Sequence, residues 1–202
     1  FWFGYKGHLA VGTSSQYILQ SLFSSGNLND GKAAIPLLKG IDELLSLPNL
    51  RYQTMDAGYD YEPIYKQAYQ MGIQSVIAYN KRNESESIGF DKHFAPTCFR
   101  EHSYRYDSYD SKYETLKYTH PKECHDCPLA NGDICQKVFK MKITKDLRKY
   151  TAPARGSQAC KRFIIAVQLL SELMVTLKNT FSLIMFVIEL ENELKSILIL
   201  SH

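Results

Sequence analysis

The order of the segments in residues 1–79 constrains the fold of this chain more than any other feature. Two segments rich in aromatic and aliphatic residues come first, and the Gly and Ser residues between them are typical of a hairpin turn. These predicted strands are Trp2–Val11 and Gln16–Phe23. In the loop that follows, Asn29 or Asp30 is suited to cap the next helix.

The helix predicted after this loop has apolar residues at the spacing of one buried face, and Pro48 ends it. These apolar residues are Ile35, Leu38, Ile41, Leu44 and Leu45. A strand, a helix and a buried strand complete the pattern, at Arg51–Met55, Glu62–Met71 and Ile73–Tyr79. The order β-β-α-β-α-β predicts an α/β fold, and one more strand before residue 1 would make it ribonuclease-H-like.

Composition sets wide bounds on function. The chain has 202 residues, 45% of them hydrophobic and 22% charged, which is ordinary for a globular protein. A net charge of +3 permits nucleic-acid binding without requiring it. We find no secretory signal pattern, so a cytoplasmic location is expected, and five cysteines then indicate reduced thiols or a metal site.

Composition also divides the chain into three predicted regions. Residues 1–79 are the α/β core, and residues 80–162 are a polar, tyrosine-rich insertion with a cysteine cluster and a basic run. Residues 163–202 contain no Gly, Pro, Asp, Tyr or Arg and are dominated by Leu and Ile. We predict an atypical helical tail there, and its charged residues argue against a membrane span.

Asp56 stands at the end of a predicted strand, in the segment Met55-Asp56-Ala57-Gly58-Tyr59-Asp60. A carboxylate at this place can hold a divalent cation, because hard cations such as Mg²⁺ prefer oxygen ligands. The alternative is that Asp56 closes a turn or caps the following helix. For that capping role Asp60 is the better candidate, because it lies directly before the predicted helix.

Three separate motifs resemble the DDE transposases of bacterial insertion sequences. They are Phe3-Gly4-Tyr5-Lys6-Gly7-His8, Gly26-Asn27-Leu28-Asn29-Asp30 and Asp56-Ala57-Gly58-Tyr59-Asp60. The chain is most similar to the group with a Tyr-x2-Arg-x3-Glu-x6-Lys motif, over residues 1–162. This resemblance implies a ribonuclease-H-like core that cuts and joins transposon ends with Mg²⁺, possesses three catalytic acids, and uses Asp56 as the second of them.

The chain departs from that family at two places. The resemblance puts the first catalytic acid on a strand upstream of Phe3, which this chain does not contain. The third acid belongs to the Tyr-x2-Arg-x3-Glu-x6-Lys motif soon after Phe163, and no such motif is present; Glu172 is the nearest acid. One carboxylate cannot fix two metal ions about 4 Å apart, so we expect a truncated, inactive fragment.

We hypothesise that a frameshift in the gene explains why the motif is missing. If the frame moves forward by two bases at Phe163, synonymous codons permit Tyr, Arg, Glu and Lys at the four motif positions. A glycine codon in that string is forced, because Met174 ends in G and Val175 begins with GT. The alternative is an ordinary amphipathic or core helix.

Four cysteines in the insertion form a candidate zinc site. They are Cys124, Cys127, Cys135 and Cys160, with His120 and His125 as alternative ligands. A Cys-x2-Cys pair with two further thiolates suits tetrahedral Zn²⁺, although the later spacing is irregular. The alternative is a set of reduced, partly buried thiols, and Cys98 has no evident partner.

A basic run in the insertion is the candidate DNA-binding surface, opposed in the local sequence only by Asp146. Its residues are Lys137, Lys140, Lys142, Lys145, Arg148, Lys149, Arg155, Lys161 and Arg162, of which the first six are the candidate DNA-binding residues. Such a run can neutralise phosphates, or it can be a solvated face. Lys6 and His8 are further candidates for phosphate contact, or ordinary strand residues.

These observations predict a transposase fragment whose partner is DNA at transposon ends, in the cytoplasm at the nucleoid, with a homo-oligomer expected of the intact ancestor. Two alternatives belong to other classes. One is a DNA-binding remnant without catalytic activity, and the other is a zinc-stabilised interaction module.

Overall fold

The computed structural model describes residues 4–12, 17–45, 50–85, 87–130, 135–173, 183–190 and 195–201. They belong to two units, one from residues 1–80 and 162–202 and the other from residues 81–161. The helices are α1 Asp30–Leu45, α2 Glu62–Gln70 and α3 Gln158–Leu173. The strands are β1 Tyr5–Gly12, β2 Ile18–Ser25, β3 Leu50–Met55, β4 Gln74–Ile77, β5 Arg105–Asp110, β6 Thr115–Thr119, β7 Val138–Lys142, β8 Leu183–Leu190 and β9 Lys195–Ser201.

The predicted hairpin at the start of the chain is confirmed. Strands β1 and β2 pair antiparallel, from Tyr5 opposite Ser25 to Val11 opposite Ile18. β1 is buried along most of its length, whereas β2 alternates between exposed and half-buried residues. This difference follows from position, because β2 is the edge strand of its sheet.

Helix α1 begins where the sequence predicted a cap. The side chain of Asn29 accepts a hydrogen bond of 2.9 Å from the Gly31 N–H, which satisfies one of the free donors of the first turn. The buried face consists of Ala33, Ala34, Leu37, Leu38 and Ile41, so the predicted stripe is present but shifted towards Leu37. Pro48 and the side chains of Leu44 and Leu45 lie outside the described residues.

Strands β3 and β4 and the helix between them form a β-α-β unit, as the sequence predicted. The two strands are parallel, with Tyr52 opposite Gln74 and Met55 opposite Ile77. Helix α2 has Pro63 in its first turn, and Gly72 follows the helix with a φ of 75°, in the left-handed region that glycine tolerates best. Asp56 therefore follows the carboxyl end of β3, an inner strand of the sheet.

The described part of the tail is helical up to Leu173 and forms strands from Leu183 onwards. Helix α3 crosses the predicted boundary at Phe163, whose ring packs on Tyr52 with centroids 4.9 Å apart. Further on, the described residues form β8 and β9, not a helix. Short runs rich in Leu, Ile and Val satisfy either structure, and here pairing with β1 and β3 decides in favour of strands.

The two tail strands lie between β1 and β3 in the sheet order β2-β1-β8-β9-β3-β4. In β8, Phe186 is paired with Ala10 of β1 and also with Met55 of β3. In β9, Leu198 is paired with Val11 and with Thr54. Each tail strand thus connects β1 with β3.

The unit of residues 81–161 contains a three-stranded antiparallel sheet in the order β5-β6-β7. Leu116, Tyr118 and Met141 are buried on one face. Tyr106 packs edge-on against Tyr118, with ring centroids 5.9 Å apart. None of the described helices is long and apolar enough to cross a bilayer.

Candidate functional site

Asp56 lies directly after β3 and its side chain is exposed. Its Oδ1 accepts a hydrogen bond of 2.7 Å from the Gly58 N–H, so Asp56 caps the 3-10 turn Ala57–Tyr59. A Cβ at Gly58 would stand 2.9 Å from that same oxygen, and glycine therefore fits this turn best. The capping role is present, and it keeps the carboxylate at a fixed place on the surface.

Residues from all three sequence motifs meet near Asp56. The Lys6 ammonium donates to Oδ1 of Asp30 at 3.1 Å and to the Leu28 carbonyl at 3.2 Å. Burial raises the pKa of Tyr59 far above its ordinary value, and the carboxylates of Asp30 and Asp56 add to the shift. Both carboxylates are therefore electrostatic neighbours of the same tyrosine hydroxyl.

His8 belongs to the interior of this arrangement, whereas Lys6 is half-buried. His8 is fully buried, and its Nε2 is 2.7 Å from the Ser24 hydroxyl oxygen. Burial lowers the pKa of His8, an effect that Asp30 opposes and Lys6 reinforces. Phosphate contact by either residue remains a prediction, and the burial of His8 counts against it.

Asp60 does not cap α2, contrary to the prediction. The residue before α2 is Tyr61, which makes no capping hydrogen bond with its side chain. Asp60 is instead fully buried, where it accepts hydrogen bonds from the Tyr65 hydroxyl at 2.7 Å and from the Asn80 N–H at 2.8 Å. Two strong internal donors compensate the loss of water, and they orient the carboxylate inwards.

The exposed Asp56 carboxylate has the right chemistry for one Mg²⁺ ligand. A two-metal site needs more, because several oxygen ligands must surround each ion. Among the residues that the structure describes, no three His, Cys, Asp or Glu side chains are grouped closely enough to hold a metal ion. These residues thus supply one ligand and not a complete site.

Comparison with known protein families assigns the chain to a family. The family described as "Transposase DDE domain" matches residues 1–181. The chain belongs to that transposase family. No curated protein and no solved structure matches it. Family membership implies DNA cleavage and transfer in transposition, and divalent metal ions as the general cofactor.

The basic run of this DDE domain separates into exposed and internal residues. Lys137, Lys140, Lys142 and Lys145 are exposed. Arg148 is buried and forms an ion pair with Glu84, so Asp146 is not the only acid that opposes the run. Lys149 lies 3.7 Å from Glu84 and 3.8 Å from Asp146. Glu84 is distant in sequence, which is why the local pattern missed it.

None of the five cysteines of the DDE domain, all of which the structure describes, forms a disulfide. Cys160 is buried in the first turn of α3, and burial raises the pKa of its thiol. The pKa of Cys124 is raised by burial and then by Cys98, Cys127 and Cys135. Cys98, which the sequence left without a partner, is therefore an electrostatic neighbour of Cys124. Its loop and the Cys-x2-Cys pair are far apart in sequence, and spacing alone could not relate them.

Proposed function

We propose that this chain derives from a transposase that cleaves and transfers DNA strands at transposon ends, and that its core is ribonuclease-H-like. In this proposal Asp56 is a Mg²⁺ ligand and the second of three catalytic acids. The metal would supply an activated hydroxyl and stabilise the leaving oxygen. The observation that supports this best is the exposed carboxylate of Asp56 at the end of β3, held by the Gly58 N–H.

The surroundings of Asp56 support the same proposal. The sequence motifs that resemble the family lie apart in the chain, yet Lys6 bonds to Asp30, and Asp30 and Asp56 both act on Tyr59. If the three motifs matched the family by chance, their residues would not be expected to lie close together in the fold. Their proximity is expected if the three motifs build one site around Asp56.

Iron-directed cleavage tests the metal site without requiring DNA chemistry. Fe²⁺ that replaces Mg²⁺ at Asp56 generates hydroxyl radicals when ascorbate and peroxide are added, and these cut the polypeptide close to the ion. We expect fragments that end near residue 56, excess Mg²⁺ to suppress them, and Asp56→Asn to abolish them. Asp42→Asn is the matched control, because Asp42 is an exposed acid on α1. Equal cutting in both variants would refute the assignment.

We further propose that the 202-residue chain does not itself cleave DNA. The described residues offer Asp56 without a second and third acid grouped around it. Incubating the purified chain with Mg²⁺ and the DNA that flanks its gene tests this statement. Cleavage that disappears in Asp56→Ala would overturn it.

We propose a frameshift near Phe163 as the origin of the tail. The abrupt change of composition and the permitted motif in the other frame support this idea. The nucleotide sequence of the gene decides it. If the alternative frame does not encode the Tyr-x2-Arg-x3-Glu-x6-Lys helix, the idea is wrong.

A DNA-binding remnant without catalytic activity is the second candidate function. Four exposed lysines between residues 137 and 145 favour it, because such residues bind phosphates without sequence preference. A complex with DNA that weakens steeply with salt, and that forms without any cleavage, would be the expected result.

A further inference from the structure

We propose that a depression on the open face of the β5-β6-β7 sheet binds a phosphate of the DNA backbone through Lys117 and Lys140, and that Asp107 competes with this phosphate for Lys117. Lys117 does not belong to the basic run found in the sequence, so it is a further binding residue. The inference rests on the proposed DNA-binding function, from which it takes DNA as the partner.

The sheet of the unit of residues 81–161 has one covered face and one open face. Leu116, Tyr118 and Met141 are buried on the covered face. The residues that alternate with them form three rows across the open face, and none of the nine is buried. The strand register gives these rows as Arg105-Thr119-Val138, Ser108-Lys117-Lys140 and Asp110-Thr115-Lys142. The open face therefore carries four cations among small hydroxylated residues.

Two of these cations face each other across the middle row. Lys117 of β6 stands directly opposite Lys140 of β7. Side chains at such positions have Cβ atoms about 4.5–5.5 Å apart, and like charges there destabilise a sheet. An anion between the two ammonium groups replaces their repulsion with two attractions. The middle row is thus the place on this face where an anion gains most.

A depression of about 380 Å³ lies beside this pair. Its lining combines two ammonium groups, three hydroxyls and one carboxylate, from Lys117, Lys140, Ser108, Tyr113, Thr115 and Asp110. Ammonium and hydroxyl groups are common donors to phosphate oxygens in protein–DNA complexes. The carboxylate of Asp110 belongs to the turn after β5, where its Oδ1 accepts the N–H groups of Lys112 at 3.0 Å and Tyr113 at 3.2 Å. The two ammonium groups outnumber it, so the lining favours an anion.

Asp107 holds Lys117 when no phosphate is bound. The register of β5 and β6 shifts between Tyr106 and Ser108, which makes Asp107 the extra residue of a bulge. Its Oδ2 accepts the Lys117 ammonium at 2.9 Å and the Ser108 hydroxyl at 2.9 Å. The Lys117 and Asp107 side chains remain 42% and 40% exposed. An ion pair this exposed is weak, so a phosphate can take the place of Asp107.

The other cations extend the site along the sheet. Lys142 lies on the same side of β7 as Lys140, two residues and about 6.8 Å further along the strand. Arg105 stands in the row on the other side of Lys117, where its Nε donates to the His120 carbonyl at 3.2 Å. Cations at successive positions suit a chain of phosphates better than one small anion. The arrangement therefore fits a nucleic-acid backbone.

Fluorescence anisotropy of the full chain with a labelled DNA duplex, at several salt concentrations, tests the competition. Asp107→Asn removes the competing charge and frees Lys117. We expect the DNA affinity to rise several-fold at low salt and the slope of log K against log salt to steepen by about 0.9, the value for one neutralised phosphate. Asp42→Asn is the matched control, because this exposed acid of α1 loses the same charge and should leave the slope unchanged.

Double substitutions separate the exchange of partners from an effect of net charge. In a Lys117→Ala background, Asp107→Asn should no longer raise the affinity. In a Lys117→Arg background, which retains the cation, it should still do so. Circular dichroism checks the fold of each variant, and Lys117→Gln replaces Lys117→Ala if the latter does not fold.

Two results would overturn the inference while leaving DNA binding by the chain intact. One is an unchanged affinity and slope in Asp107→Asn. The other is a gain that persists in the Lys117→Ala background, which would be a general effect of net charge. If the unsubstituted chain does not bind the duplex at all, the DNA-binding function itself is wrong and this inference falls with it.

Discussion

The Tyr65 hydroxyl donates a hydrogen bond of 2.7 Å to Oδ1 of Asp60 in the interior of the unit that contains residues 1–80. Oδ2 of the same carboxylate accepts the Asn80 N–H at 2.8 Å. Asp60 thus joins the turn after β3, helix α2 and the chain that follows β4. Since Asp56 belongs to the same turn, this buried network holds the backbone of the candidate site in place.

Removing the Tyr65 hydroxyl should weaken this network. Tyr65→Phe leaves a buried carboxylate oxygen without that donor, and we expect the free energy of unfolding to fall by about 1–2 kcal/mol. Urea unfolding followed by circular dichroism measures it. Tyr113→Phe is the control, because Tyr113 is 61% exposed and its change should have little effect. Equal losses in the two variants would contradict the structural role of Asp60.

Two substitutions at Asp56 separate its capping role from metal binding. Asn can still accept the Gly58 N–H, so Asp56→Asn should change stability by less than about 0.5 kcal/mol while it abolishes iron-directed cleavage. Ala has no side-chain acceptor for this hydrogen bond. Asp56→Ala should therefore abolish the cleavage and also lower the free energy of unfolding by about 1 kcal/mol. Thermal unfolding and the cleavage assay, measured on both variants, check the two effects. A strongly destabilised Asn variant would show that the charge itself is structural.

Lys140 and Lys142 should contribute to DNA affinity. Both are exposed and point from the same side of β7, where their charges can neutralise phosphates. The double substitution to Ala should reduce the slope of log K against log salt by about 2, which fluorescence anisotropy at several salt concentrations measures. Lys39→Ala, on the exposed side of α1, should leave the slope unchanged.

Arg148 should contribute to the stability of the fold and not to DNA binding. Its ion pair with Glu84 is largely buried on the arginine side, and Arg148→Ala should lower the free energy of unfolding by about 1–3 kcal/mol. The neighbouring Lys145→Ala should leave stability unchanged, because Lys145 is exposed. Unfolding of both variants by urea provides the comparison. The interpretation fails if Lys145→Ala proves the more destabilising of the two.

His8 should make the fold sensitive to mild acid. Because burial lowers its pKa below the ordinary value of 6.5, the unfolded chain binds a proton first as the pH falls. The contribution of neutral His8 is therefore complete above about pH 6.5 and is lost as the pH falls from there towards the folded-state pKa. His8→Gln should flatten this part of the stability curve, as urea unfolding at a series of pH values would show. An unchanged curve would contradict the assignment to His8.

The sequence was sufficient for elements with strong local patterns. The hairpin, α1 with its Asn29 cap, and the β3-α2-β4 unit are confirmed because turn residues, caps and apolar periodicity all agree there. The tail was different, because a run of Leu and Ile has no period that separates helix from strand. Its strands depend on pairing with β1 and β3, which no local window contains.

The candidate site divides in the same way. The position of Asp56 after a strand and before a turn was predictable, since a strand, an acid and a glycine turn are adjacent in the chain; its role as a site residue stays a prediction. The internal roles of Asp60 and Arg148 depend on Asn80 and Glu84, which lie far from them in sequence. The electrostatic influence of Cys98 on Cys124 likewise joins two segments that are distant in sequence. Such partners become visible only in three dimensions.

The pairing of Phe186 with both Ala10 and Met55 bears on how the protein is made. β1 and β3 leave the ribosome well before β8 and β9, the strands that connect them. Such a sheet has a high contact order, and its first strands must wait with open edges until β8 and β9 have been synthesised. During that interval the open edges are available to other chains, so yield in the cell should depend on chaperones more than the stability of the finished fold would suggest.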